Sequence, residues 1–378
     1  MPEKPLHVMQ LTCELRPAGA ERVVFELAKG LKRSGHTCTV VSIQPATGKV
    51  ADWLRAEEIK VLDLGVRSRF DLGAKGRLAA LLRERTPDLL HTHMFHANVL
   101  GRAAAAKIDE LAVVSSLHVV ERRWRPWRKW LERARSGRAD AIVCVSEAVA
   151  RYAERGMGLS ADRLCVIYNG YDPARLEPTA DRNDVLIRLG VDPESRVVGF
   201  LGRLDRQKGP DVLLRACRQF MPRVSEASVL FVGAGPMERS LKRAARDPLY
   251  GRRIHFAGHR EDIANLLQCF EVFAFPSRWE GFGLSLLEAM VSGLPIVASR
   301  VDSVTELVED GKSALLVAPE NRERLGNSVL WLLNNPERAS ALGEAARERA
   351  ADRFGLGPMV DRHIELYRSA VRDRRGRP

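Results

Sequence analysis

No run of eighteen or more apolar residues occurs in the 378-residue chain, so no segment reads as a membrane-spanning helix. The opening Met1-Pro2-Glu3-Lys4-Pro5 lacks the charged-then-apolar pattern of a secretory leader. Six cysteines (Cys13, Cys38, Cys144, Cys165, Cys217 and Cys269) are scattered without a C-x-x-C pair, as expected of reduced core thiols in a cytosolic protein. There is no His/Cys cluster with zinc spacing, no Walker A loop, no Gly-x-Ser-x-Gly and no D-x-D triplet. Short repeats and low-complexity tracts are also absent. These gaps argue against a structural zinc site, a P-loop and a serine hydrolase elbow.

What is present suits a globular α/β protein. The apolar fraction is 45%, and the length exceeds one compact core, so two domains are expected. The net charge of +12 is uneven: residues 1–175 carry 29 Lys and Arg against 20 Asp and Glu. The first half therefore has the stronger reason to meet an anion.

Apolar strand-like runs at 6–11, 37–43, 59–64, 89–92, 113–117 and 141–145 alternate with helical patterns. One of these helices would bury Val23, Val24, Leu27, Ala28 and Leu31. The alternation restarts with runs at 196–201, 228–232, 254–256, 272–276, 295–298 and 314–317. Near-continuous apolar strands separated by helices mark parallel sheets covered on both faces. The expected division is a first domain at 1–172 completed by a C-terminal helix at 357–373, a linker at 173–184 and a second domain at 185–356. The basic tail 372–378 is expected to fray.

The densest chemistry lies in Pro276-Ser277-Arg278-Trp279-Glu280-Gly281-Phe282-Gly283-Leu284-Ser285-Leu286-Leu287-Glu288. Glu280 falls on a glycine-broken loop, and Glu288 falls on the apolar helix that follows. The amides of Phe282, Gly283 and Leu284 open that helix, which offers free N–H donors and about half a positive charge to an anion. A ligand with hydroxyl-rich ends and a phosphate middle suits this pattern. A second loop, Gly202-Arg203-Leu204-Asp205-Arg206-Gln207-Lys208-Gly209, follows a strand and carries cations able to neutralise a diphosphate. Gly233-Ala234-Gly235 reads as a close-packing turn.

With Gly19-Ala20-Glu21-Arg22, Asp88-Leu89-Leu90-His91-Thr92-His93, Leu117-His118, Val145-Ser146-Glu147 and Asn169-Gly170, these motifs stand in a fixed order over nearly the whole length. In that order the chain resembles the retaining glycosyltransferases of family 4, the "group 1" type. The resemblance implies a GT-B fold: two Rossmann-like, doubly wound domains with a central cleft and a last helix crossing back to the first. It further implies sugar transfer from a nucleoside diphosphate, UDP being the favoured carrier, to an acceptor hydroxyl with anomeric configuration kept. No metal, cofactor or side-chain nucleophile is implied. By the same resemblance Arg203 and Lys208 would hold the diphosphate and Glu288 the ribose. Glu280 and the backbone of Phe282, Gly283 and Leu284 would meet the donor sugar, and Gly19 would let the main chain approach the phosphates. Arg260, in the 258–262 loop, would lie near the base, and His118 would reach the transferred sugar. His91 and His93 read as structural or cleft-lining. The family's paired glycines are Ala18-Gly19 here, and Asp302-Ser303 replaces a second pair before Glu306.

Residues 122–138 hold eight basic residues, one acidic residue and three tryptophans. Arg122, Arg123, Trp124, Trp127, Arg128, Lys129 and Trp130 are candidates for the acceptor or membrane side. The composition fits a helix on an anionic lipid surface, here the inner leaflet. Core tryptophans, an anionic soluble acceptor and nucleic acid are the competing readings, nucleic acid being the least expected because acidic residues interrupt the charge elsewhere. The anticipated acceptor is a lipid-linked or polysaccharide glycan. A nucleotide-sugar 2-epimerase and a non-catalytic nucleotide-binding relative are the alternatives on this fold.

Overall fold

A computed structural model describes residues 4–68, 71–120 and 126–376. The chain forms two compact units. One comprises Met1–Gly170 with Leu356–Pro378, and the other comprises Tyr171–Gly355.

The first unit is built on β1 (His7–Thr12), β2 (Thr37–Ser42), β3 (Lys60–Asp63), β4 (Leu89–His93), β5 (Ala112–Leu117), β6 (Ala141–Cys144) and β7 (Leu164–Val166). They form one parallel sheet in the order β3-β2-β1-β4-β5-β6-β7. Both faces are covered, which is why β4 and β5 are buried along their whole length. The helix Gly19–Arg33 buries Val23, Val24, Leu27, Ala28 and Leu31, the stripe its periodicity requires. The helix Leu356–Arg375 lays Met359, Val360, Ile364, Tyr367 and Val371 into the same core, as the crossing-back helix should.

One strand was missed in the sequence, and one expectation needs correction. The three-residue strand β7 escaped sequence reading because Leu-Cys-Val is half-buried and too short to show a period. The basic tail does not fray at residue 372. The helix runs to Arg375, Arg374 Nε donates to the Asp109 carbonyl at 2.6 Å, and Arg375 pairs with Asp88 at 2.5 Å.

The second unit contains β8 (Arg196–Leu201), β9 (Ala227–Val232), β10 (Ile254–Gly258), β11 (Val272–Phe275), β12 (Ile296–Ser299) and β13 (Leu315–Val317), in the order β10-β9-β8-β11-β12-β13. The stretch 173–184 is fastened to this unit. Asn265 Oδ1 accepts the amides of Thr179 and Ala180 at 2.7 and 3.1 Å, and Asp181 caps the helix Arg182–Arg188.

Each sheet reverses its strand order once, between β1 and β4 and between β8 and β11. In open α/β sheets that reversal leaves a crevice at the carboxyl ends of the two strands, where ligands bind. The sequence thus delivers the 202–209 and 276–283 loops to one switch point, and the ends of β1 and β4 to the other.

Candidate active site

At the switch point of the second unit the two loops are joined back to back. Gly209 adopts φ +66°, and a Cβ there would meet the Pro276 carbonyl oxygen at 2.2 Å. Gly233 does the same for the neighbouring turn, since its Cβ would fall 2.0 Å from Gly202 O. Glycine is required at both places because backbone approaches backbone. The Gly-x-Gly of residues 233–235 is therefore a packing device, as its sequence suggests.

This closeness brings Lys208 Nζ to 2.6 Å from Glu280 Oε1, and the Ser277 hydroxyl donates to the same oxygen at 2.7 Å. Glu280 is buried, and the lysine ammonium also lies 5.6 Å from the Phe275 ring centroid. Arg203 is more exposed and pairs with Asp205 at 2.5 Å. Asp205 in turn accepts the Lys208 amide at 3.1 Å. The two cations expected to meet a diphosphate are thus each held by a carboxylate, which presets their positions.

Beyond Glu280 the chain turns at Gly283, φ +104°, into the helix Leu284–Val291. The Gly283 carbonyl accepts the amides of Leu286 and Leu287 at 3.0 Å each. Phe282 sends its ring into the core, edge-on to Phe354 at 5.7 Å, so only its backbone remains for a ligand. Glu288 is buried on the same helix.

Arg260 sits at the end of the edge strand β10, two strands from β8. It makes a bidentate pair with Asp262 at 2.8 and 2.6 Å, and no described contact brings it to the Lys208–Glu280 cluster.

Sequence reasoning missed three members of this site. Asp205 organises its own loop, and Ser277 shares Glu280 with Lys208. Arg278 sews the loops together: its amide donates to Gln207 O, its guanidinium donates to Arg206 O, and it grips Asp211 bidentately at 2.9 Å. The Asp-x-x-Lys spacing signals an Asx-type turn and could have revealed Asp205. Ser277 bonds Glu280 three residues on, but nothing local marks that Lys208 shares that oxygen, and the partners of Arg278 lie tens of residues away.

In the first unit, Gln10 of β1, His91 and His93 of β4, and His118 beyond β5 converge. His93 Nδ1 is 3.1 Å from His118 Nε2, and His93 Nε2 is 3.1 Å from Gln10 Oε1. His91 packs on His93 with ring centroids 4.1 Å apart and is bonded to Ser116 Oγ at 2.8 Å and Tyr367 OH at 2.6 Å. Burial holds His91 and His93 well below the usual imidazole range, with the neighbouring histidines adding to the effect. His118 is lowered to about 4, by burial first and then by His363, which burial also lowers to about 4. All four rings are neutral at pH 7. Gly19 is the exposed first residue of the helix Gly19–Arg33, and Ala18 ahead of it offers no side-chain cap.

The basic segment is helical over Pro126–Ser136. Trp127 and Trp130 are 51% and 69% exposed, which removes the reading of these two as core. Arg128 stacks over Phe95 and Trp127, and Lys129 lies over Tyr152. The segment's one acidic residue, Glu132, is fully buried against Arg102 at 2.7 Å, so the outward charge of this helix is basic. Arg122, Arg123 and Trp124 lie outside the described residues.

The fold superposes on Anabaena HepE solved with UDP and glucose at a TM-score of 0.86, covering 96% of this chain and 100% of that one at 24% identity. The architecture is GT-B. The family model for glycosyltransferase family 4 matches residues 17–175, and that for glycosyl transferases group 1 matches residues 181–349. The chain is similar to alpha-maltose-1-phosphate synthase of Mycolicibacterium smegmatis, at 31% identity over 74% of this chain and 78% of that protein. It is also similar to the UDP-Gal:alpha-D-GlcNAc-diphosphoundecaprenol alpha-1,3-galactosyltransferase of Escherichia coli, at 25% identity over 85% and 86%. The chain belongs to glycosyltransferase family 4, and it is a glycosyltransferase.

Proposed function

We propose that the chain transfers a sugar from a UDP-sugar to a lipid-linked or polysaccharide acceptor hydroxyl with retention of anomeric configuration and without a metal. The observation that carries this is the Lys208–Glu280–Ser277 cluster at the switch point, ahead of the helix Leu284–Val291. A diphosphate oxygen can replace Glu280 on Lys208 and engage Arg203, which releases Glu280 to accept sugar hydroxyls. Glu288 is assigned to the ribose, the backbone of Phe282, Gly283 and Leu284 to the sugar and phosphates, Gly19 to the phosphate approach, Arg260 to the base side and His118 to the transferred sugar.

The acceptor oxygen attacks the anomeric carbon as the bond to the phosphate oxygen breaks. Its proton passes to that departing oxygen on the same face. The protein contributes position and charge stabilisation. Two similar proteins support the donor and acceptor: HepE was solved with UDP-glucose, and the Escherichia coli relative is named for UDP-Gal and a diphosphoundecaprenol acceptor.

The basic helix, with Trp127 and Trp130 outward beside Arg128 and Lys129, is assigned to the anionic inner leaflet. Among the described residues no helix is long and apolar enough to cross a membrane.

A nucleotide-sugar panel with glycan and polyprenyl-diphosphate acceptors tests the reading, with calorimetry against UDP, GDP and ADP. Transfer from a UDP-sugar with an α-linked product is expected. Sugar conversion without an acceptor, or no diphosphate binding, would refute it. Sedimentation with anionic vesicles tests the membrane assignment, and equal recovery with neutral vesicles would remove it.

A further inference from the structure

We infer that Gln10 and His93 fix the tautomer of His118, so that His118 offers its Nδ1 lone pair to a ligand and takes a hydroxyl rather than a phosphate oxygen. Gln10 Nε2 lies 3.4 Å from the Val24 carbonyl, which can only accept, and 3.4 Å from Cys38 Sγ. The amide oxygen therefore faces His93 Nε2 at 3.1 Å. An amide oxygen only accepts, so His93 carries its proton on Nε2.

A neutral imidazole has one N–H, which leaves His93 Nδ1 as an acceptor. Its partner at 3.1 Å is His118 Nε2, so that atom must donate. Burial keeps both rings neutral at pH 7, and the proton on Nε2 makes His118 Nδ1 a lone pair. Among the described residues His118 is hydrogen-bonded through Nε2 alone. His91 stands outside this line, since Ser116 and Tyr367 occupy both its nitrogens.

A lone pair attracts a hydroxyl proton and repels an anionic oxygen. His118 thus sorts the sugar end of a donor from its diphosphate end. This deepens the glycosyltransferase reading above and rests on its assignment of His118 to the transferred sugar. Gln10 and His93 are positioning residues, acting through His118.

The test uses the full chain labelled with 15N-histidine, read by long-range proton–nitrogen correlation at pH 7.5 without ligand. Loss of signals in His118→Asn and in His93→Gln assigns the peaks. Both rings are expected as neutral Nε2–H tautomers. Gln10→Met removes the acceptor with little change of volume. It should convert His118 to a mixture of tautomers and lower kcat at saturating UDP-sugar by about tenfold, the worth of roughly one hydrogen bond. Gln10→Glu keeps an acceptor and should restore both the tautomer and most of the turnover.

An Nδ1–H signal at His118 in the unaltered protein overturns the inference whatever the variants do. So does a Gln10→Met protein whose His118 tautomer or turnover matches the parent. If the tautomers are as stated but no nucleotide-sugar is turned over, the proton order stands and the glycosyl-transfer reading of the site fails.

Discussion

At the scale of single residues, the site is governed by a lysine that rests on a carboxylate. Lys208 and Glu280 stand 72 positions apart, yet their charged atoms are 2.6 Å apart and largely withdrawn from water. Such a pair contributes little net stability, but breaking it strands a buried charge. Lys208→Ala should therefore lower the unfolding free energy by about 2–3 kcal/mol and abolish most donor-dependent turnover. The double variant Lys208→Ala/Glu280→Ala should regain most of the stability and none of the activity. Urea unfolding beside a transfer assay checks both, and additive losses in the double variant would contradict the coupling. The motifs around Lys208 and Glu280 name both residues as separate ligand contacts. Their pairing is not legible in the chain, because only the adjacency of β8 and β11 creates it. Arg278 was invisible for the same reason, whereas Asp205 and Ser277 bond within their own loops and only their part in the joined site was hidden.

At the scale of elements, the helix Pro126–Ser136 shows how a composition argument is sharpened by burial. Its sequence dilutes the basic charge with Glu132. In the fold that carboxylate accepts from Arg102 at 2.7 Å and from Asn98 at 3.4 Å, both partners being buried. Burial pushes the Glu132 carboxyl upward, opposed by the attraction of Arg102. The helix is thus nailed down on its inner side while Trp127 and Trp130 face out. Glu132→Ala should cost about 3 kcal/mol by stranding Arg102. Arg102→Met/Glu132→Leu should recover most of that loss, since apolar isosteres can replace a buried pair. Thermal melting orders the three proteins. If Glu132→Ala melts with the parent, the anchor is not energetic. The outward tryptophans were legible from the basic, tryptophan-rich composition of the segment. The inward nail was not, because Arg102 sits on a different helix.

At the scale of the molecule, the alternation of strands and helices was legible for every strand but β7, because fully buried parallel strands carry uninterrupted apolar runs, whereas the order of the strands within each sheet came only from the fold. The histidines were harder: their alternation in β4 says which face they share, not that four rings gather under the final helix. That gathering has a consequence for stability. His363 and His118 titrate at about 4 in the folded chain against an ordinary 6.5, and His91 and His93 are lowered too. A lowered histidine pKa means that the unfolded chain binds more protons between the two values. Stability is then fully present above pH 6.5 and is lost as pH falls towards 4. His118 and His363 each account for about 3 kcal/mol over that window. Glu21 works the other way: burial raises it to about 7 from 4.5, so its contribution is present below pH 4.5 and lost as pH rises to 7. Two raised carboxyls, Glu21 and Glu132, stand against these four imidazoles and against His7, His36, His96 and His255, which burial also lowers, so acid is the destabilising direction. Denaturant unfolding followed from pH 7.5 to 5 should show a falling midpoint. His363→Gln can still donate to the Met359 carbonyl, which His363 Nδ1 contacts at 2.8 Å, and it removes one titration. It should flatten the profile, with the difference between the two proteins growing as pH drops. A parent profile that is level from pH 7.5 to 5, or a His363→Gln profile parallel to it, would mean that these rings are not held neutral by the fold.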